Sequence, residues 1–221
     1  MNSETKGRKS LEKILEKYPL AKLRRNEQVF QPGDSLDFAY FVKSGFVRIY
    51  AICKNGQEVT VFILKPHFLL PLFFASSHFR SRYYAEALTA VEAYQIPKKE
   101  MTGLMAENPE VFSEVMDSLT VTFRDTLGEI EYLASGNAYT KVVSVLLSLA
   151  PEISRKTTEV SLDLPATHRI IASMTGLTRE TVTLQMLKLK KRGLITGKGR
   201  RLVIKDLTRL REEAACLGEE A

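Results

Sequence analysis

Seven cations fall within the fourteen residues from 188 to 201: Lys188, Lys190, Lys191, Arg192, Lys198, Arg200 and Arg201, with no acidic residue among them. Such a cluster suits contact with phosphate, because cations neutralise a polyanion backbone and position a protein on it without reading sequence. Cations answering a helix dipole account for Lys190 to Arg192 but leave Lys198, Arg200 and Arg201 unexplained. Just upstream stand side chains of another kind. Arg179 can give guanine O6 and N7 two hydrogen bonds, Glu180 can accept from cytosine N4, and Leu184 can pack on a thymine methyl. The expected DNA-contacting set is Thr167, His168, Thr178, Arg179, Glu180, Thr183, Leu184, Lys188, Lys191, Lys198, Arg200 and Arg201.

The elements that must position these groups are legible from spacing. "LPATHRIIASMTGLTRETVTLQMLKLKKRG" divides at Gly176. Before it, Ile170, Ile171 and Met174 form one apolar edge. After it, Thr178 can cap a helix whose Val182, Met186 and Leu189 repeat at helical spacing and face inward. Two short helices around a glycine turn make a helix-turn-helix, and the second, over residues 178–192, is predicted to enter the major groove. Its outward side holds Glu180, Leu184, Leu187 and Lys191, with Arg179 and Thr183 at the edge. In "GLITGKGRRLVI", Leu194–Thr196 and Leu202–Ile204 read as arms of a wing hairpin with Gly197-Lys198-Gly199 at its tip.

The net charge of +6 is concentrated. From residue 137 onward there are 15 Lys and Arg against 9 Asp and Glu, whereas the first 136 residues hold 17 of each, the asymmetry of a neutral part joined to a polyanion-binding one. No apolar run approaches the ~20 residues of a membrane helix, and "MNSETKGRKSLEKILEKYP" has no apolar signal core, so a cytoplasmic protein without membrane contact is expected. Cys53 and Cys216 are too few and too far apart for a disulfide framework or cysteine metal cluster. An enzyme is not expected. His67, His78 and His168 are unpaired, and no phosphate loop, nucleophile elbow or metal site is present in the sequence.

The fold class reads as α+β. "SLEKILEKY" (10–18) has helical spacing. Residues 22–98 carry short β-branched and aromatic runs broken by turn pairs, the pattern of a small antiparallel barrel or sandwich. "FVRIYAICKNGQEVTVFIL" is the clearest hairpin, predicted to turn on Asn55-Gly56 in a tight primed turn. A helical stripe follows, formed by Phe112, Met116, Leu119, Phe123, Leu127, Ile130 and Leu133. At about six turns, ~30 Å, it outruns a small barrel and is predicted to be a dimer seam. The expected domains are residues 1–105 (sensor), 106–136 (dimerisation helix) and 137–221 (winged helix-turn-helix).

On these residues the chain resembles the Crp/Fnr family of bacterial transcription regulators. "GLTRETVTLQMLKLKKRGLI" looks like the family's recognition helix, with its Arg-Glu-Thr-Val core at Arg179, Glu180, Thr181 and Val182. "FQPGDSLDFAYFVKSGFVRIYAICKNGQEVTVFIL" is similar to the start of its β-roll, including glycines 33, 45 and 56. The resemblance implies an N-terminal antiparallel β-roll of the cyclic-nucleotide-binding jelly-roll kind, a long dimerisation helix and a C-terminal winged helix-turn-helix. It also implies a homodimer on a near-palindromic double-stranded DNA site, with RNA polymerase as a further partner. The family usually has an Arg where Leu184 stands, so the half-site should differ at the base that Arg would read.

Family members that bind cyclic nucleotides hold the ligand with a Gly-Glu-Leu turn, an Arg-Ser pair and a Thr-Ser pair on the long helix. The matching stretches place Leu70, Pro71 and Leu72, then Arg80, Ser81 and Arg82, then Thr126 and Leu127 at the effector pocket. Proline lacks the N–H a phosphate cradle uses, so the chain is expected to lack the usual phosphate-binding motif. No cofactor is expected. Cyclic AMP is set aside on this motif, an iron–sulfur cluster because no cysteine precedes Cys53, and haem because His67, His78 and Cys53 are its lone candidate ligands. The effector is left unidentified. The alternatives are a cyclic-AMP-responsive regulator with an altered pocket, or a ligand sensor whose basic end binds a protein partner.

Overall fold

The computed structural model describes residues 11–70, 80–150, 159–162, 166–198 and 201–215. The chain forms two compact units, Met1–Ala51 with Val61–Phe123 and Ile52–Thr60 with Arg124–Ala221.

A short helix, α1 (residues 11–15), precedes the strands of the first unit, β1 (Leu20–Leu23), β2 (Gln28–Phe30), β3 (Phe38–Ser44), β4 (Val47–Ile52), β5 (Glu58–Leu64), β6 (Leu69–Leu70), β7 (Tyr84–Ala87) and β8 (Val91–Pro97), of which only the residues next to the β4–β5 turn, 52 and 58–60, fall to the second unit. They make two four-stranded sheets of order β1-β8-β3-β6 and β2-β7-β4-β5. Period-two alternation explains why β3 and β8 are apolar on both faces. Phe41, Tyr94 and Ile96 join Leu11, Leu15 and Met101 in a cluster with the helices, while Val42, Val91 and Ala93 join Val47, Ile49, Ala85 and Ala87 of the other sheet. The second cluster is the sandwich core. Each fully buried Val here, Val42, Val47 and Val91, contributes about 1.5–3 kcal/mol of burial.

The β4–β5 turn is not the two-residue turn expected at Asn55-Gly56. Cys53 N–H donates to Gln57 C=O and Gly56 N–H to Cys53 C=O, so three residues bridge the strands. Among residues 53–57 positive φ occurs only at Gly56 (80°), the signature of a type I turn closed by a glycine bulge. Asn55 uses its side chain instead, accepting from Gln57 N–H.

Helix α2 (Lys98–Glu107) ends at Asn108, and α3 (Pro109–Ser135) begins on a proline, which suits a first helical position. Val111 and Val115 are buried in the first unit's core, and Met116 and Leu119 pack against it half-buried. Those two members of the predicted seam therefore lie against their own protomer. Phe112, Phe123, Leu127, Ile130 and Leu133 remain exposed, Phe123 the most at 67%.

The second unit contains α4 (Ala138–Leu149), β9 (Val160–Leu162), α5 (His168–Thr175), α6 (Arg179–Lys191), β10 (Ile195–Lys198), β11 (Arg201–Ile204) and α7 (Leu207–Ala215). Asn137 caps α4, accepting from the N–H groups of Tyr139 and Thr140. The strands form a sheet of order β10-β11-β9. Val142, Leu146, Ile171, Leu189, Leu194, Ile204 and Leu210 are all fully buried here. In β10 and β11, Lys198 pairs with Arg201, so Gly197 and Lys198 belong to the arm of the wing and not to its tip.

Candidate nucleic-acid interface

Local chemistry sets both ends of both helices in the motif. Thr167 caps α5 by accepting from Ile170 N–H, and Thr178 caps α6 by accepting from Thr181 N–H. Between them Gly176 takes φ +69°, left-handed backbone that costs a residue with a Cβ about 1–2 kcal/mol. At the far end of α6, Gly193 N–H donates to Lys190 C=O and Leu194 N–H to Leu189 C=O. This is a Schellman closure, with Leu189 and Leu194 both buried as its apolar contact. It stops the helix and directs the chain into β10.

The apolar residues at helical spacing decide which side of α6 meets water. Val182, Met186 and Leu189 are buried, together with Gln185, whose Oε1 has no hydrogen-bond partner among the described residues. Arg179, Glu180, Leu184, Leu187, Lys188 and Lys191 are exposed, and none of these six side chains has a hydrogen bond or ion pair among the described residues. The outward stripe therefore starts with the Arg-Glu pair, continues through two leucines and ends in lysines.

His168 and Thr183 contact each other. His168 Nδ1 lies 2.8 Å from Thr183 Oγ1, and the Thr183 hydroxyl donates to Arg179 C=O at 2.8 Å. With its proton committed, Thr183 accepts, so His168 carries hydrogen on Nδ1. Burial lowers the His168 pKa, and the nearby charges of Lys190 and Arg179 lower it further. The pair ties the start of α5 to Thr183, in the second turn of α6.

Arg192 has a local partner too. Its Nη1 donates to Glu213 Oε2 at 2.7 Å and its Nη2 to Glu213 Oε1 at 2.5 Å, and Nη1 also reaches Tyr139 Oη at 3.1 Å. This fork joins the end of α6 to α7 and the start of α4, so Arg192 leaves the group of free cations that the sequence put together. Arg200 lies outside the described residues, as do the side chains of Lys198 and Arg201, whose backbone forms the wing.

The candidate effector residues are placed differently. Leu70 is buried in the sandwich core, and Pro71 and Leu72 lie outside the described residues. Arg80 donates from Nη1 to Gly33 C=O at 2.8 Å, and Ser81 Oγ donates to Tyr83 C=O and accepts from Tyr83 N–H. Arg82 is exposed, Thr126 half-buried and Leu127 exposed. Among the described residues no group of three or more His, Cys, Asp or Glu could hold a metal ion, and no helix is long and apolar enough to cross a membrane.

Residues 140–213, which contain the whole motif, match the Crp-like helix-turn-helix domain, and residues 20–108 match the cyclic nucleotide-binding domain. The chain is a DNA-binding transcriptional regulator of the Crp/Fnr type. This regulator is 29% identical over 175 residues to the global nitrogen regulator of Nostoc sp. (strain PCC 7120), a match covering 78% of each chain. It is 26% identical to a solved CRP/FNR-family transcriptional regulator from Thermus thermophilus, with TM-score 0.69 over 90% of this chain and 100% of that one. FixK2 from Bradyrhizobium japonicum, 20% identical, shares the fold at TM-score 0.75 over 92% of this chain and 98% of that one. DNA binding and dimeric assembly go with this type of regulator, and the architecture of β-roll, long helix and helix-turn-helix is the one read from the sequence.

One expectation is corrected. The regulator does not lack the usual cyclic-nucleotide-binding motif, since the match to that domain spans residues 20–108. Leu70 and Pro71, weighed position by position, are a poor guide to a domain recognised over its full length. Its turns at Gly33, Gly45 and Gly56 all lie in left-handed backbone.

Proposed function

We propose that this regulator binds a near-palindromic operator as a homodimer, with the first turn of α6 in the major groove of each half-site. Arg179 and Glu180 read base edges there, while Thr178, Lys188 and Lys191 and the wing cations Lys198, Arg200 and Arg201 hold phosphates. Thr167 lies at the phosphate end of α5, and His168 acts through Thr183 to orient the reading turn. The carrying observation is that Arg179 and Glu180 are exposed and unpaired among the described residues on a helix whose opposite side is sealed. The exposed α3 residues Phe112, Phe123, Leu127, Ile130 and Leu133 form the seam with a second copy. An effector in the β-roll region would act by favouring one spacing of the two recognition helices, ~34 Å apart on successive grooves. Contact with RNA polymerase would then couple operator binding to transcription.

Random-site selection with the purified protein tests this reading. It predicts two inverted half-sites with centres about 10 base pairs apart. Enrichment of a single half-site, or of none, would contradict it.

A further inference from the structure

Leu184 and Leu187 sit in the middle of the outward stripe of α6, 59% and 48% exposed. Residues three apart on a helix are neighbours on one face, so the two form a continuous apolar patch. Arg179 and Glu180 lie one turn before it, and Lys188 and Lys191 lie beside and after it, all exposed. A patch of two leucines bordered by cations is too small to seat a partner helix, and its charged border repels other basic surfaces. The border does match a polyanion. On duplex DNA the apolar group displayed in the major groove is the C5 methyl of thymine. Three residues rise about 4.5 Å along a helix, close to the ~3.4 Å between successive base pairs. The two side chains are thus spaced to meet methyl groups on neighbouring base pairs.

We propose that Leu184 and Leu187 act together as an apolar reader that selects thymine at two adjacent base pairs in each half-site. Arg179 and Glu180 specify the neighbouring pairs by hydrogen bonding. The inference rests on α6 lying in the major groove, and it assigns Leu187 a part in specificity that its sequence position alone did not give it.

Replacing thymine by deoxyuridine removes the methyl and keeps every hydrogen-bonding group, so it isolates the proposed contact. Each thymine of the selected operator would be replaced in turn, symmetrically in both half-sites. Affinities would be measured by fluorescence anisotropy for the wild type, Leu184→Ala, Leu187→Ala and the double variant. All four should fold alike by circular dichroism, since both side chains are exposed. The wild type should lose affinity at two neighbouring positions, about fourfold per buried methyl. Leu184→Ala should be indifferent to deoxyuridine at one of them, Leu187→Ala at the other, and the double variant at both. Equal wild-type binding to every deoxyuridine operator would overturn the proposal, as would methyl sensitivity that persists unchanged in the double variant. An Arg179→Ala control on the same operators separates the two levels. If that variant keeps full base preference, α6 is not in the groove and the reading beneath the proposal fails. If it loses preference at one base pair while no methyl matters, only the leucine reader falls.

Discussion

Helices α3 and α6 both leave large apolar side chains in water, but in different company. On α3, Phe123, Leu127, Ile130 and Leu133 recur at spacings of 4, 3 and 3 residues, so they form one stripe about 15 Å long. A stripe of that period and length can zip against a second helix of the same kind. On α6 the apolar stretch is two leucines long, with an Arg-Glu pair at one end and lysines at the other. Exposure alone does not say what covers a leucine. The length of the stripe and the charge of its border do.

The contrast can be broken most sharply on α3. Leu127→Asp combined with Ile130→Asp should give a monomer in analytical ultracentrifugation. Affinity for a two-half-site operator should fall by about 10²- to 10⁴-fold, because the second half-site no longer binds intramolecularly. Both side chains are exposed in the protomer, so the monomer should keep its fold by circular dichroism and lose only the stabilisation that the second copy supplies. A dimer that persists would show that the stripe has another partner.

Gly176→Ala separates scaffold from surface on α6. An added Cβ meets nothing within 4 Å, so the cost comes from the left-handed backbone alone, about 1–2 kcal/mol by urea denaturation. Base preference should be unaltered once the protein is folded. Loss of preference without loss of stability would mean that the turn takes part in reading.

The smallest expected effect lies at His168. Its folded pKa is below the ordinary value near 6.5, because burial and then Lys190 and Arg179 disfavour the charged ring. The unfolded chain therefore binds the proton more readily. The stabilising contribution is complete above the unfolded pKa and is lost as pH falls through the folded pKa. Thermal denaturation between about pH 7.5 and 5 should show a steeper fall for the wild type than for His168→Asn. Parallel curves would remove His168 as the source.

How much was legible in the sequence followed the range of the interactions involved. Thr167, Gly176 and Thr178 set their helices through hydrogen bonds three residues away or through their own φ, so the motif could be read residue by residue. Arg192 could not, because its partner Glu213 lies 21 residues on, in a helix whose packing is a tertiary fact. The same holds for Met116 and Leu119, whose spacing fits a seam but whose neighbours are in the N-terminal core. Gln185 gave no signal at all, since a glutamine in a basic helix reads as surface and its burial depends on α6 docking. In the β-roll, Arg80 and Ser81 were identified by type, whereas their contacts to Gly33 and Tyr83 depend on how the loops close.

In the proposed complex the first turn of α6 reads bases while its last turn holds phosphate. The most direct measurement is the affinity of Arg179→Ala and Lys188→Ala for the selected operator and for every single-base-pair change in one half-site, repeated at several salt concentrations. Arg179→Ala should lose roughly 1–3 kcal/mol and stop discriminating at one base pair, while Lys188→Ala should weaken binding to all sequences about equally and reduce the salt slope by about 1. If both variants lost affinity uniformly across the panel, with discrimination intact at every position, α6 would not be the reading element.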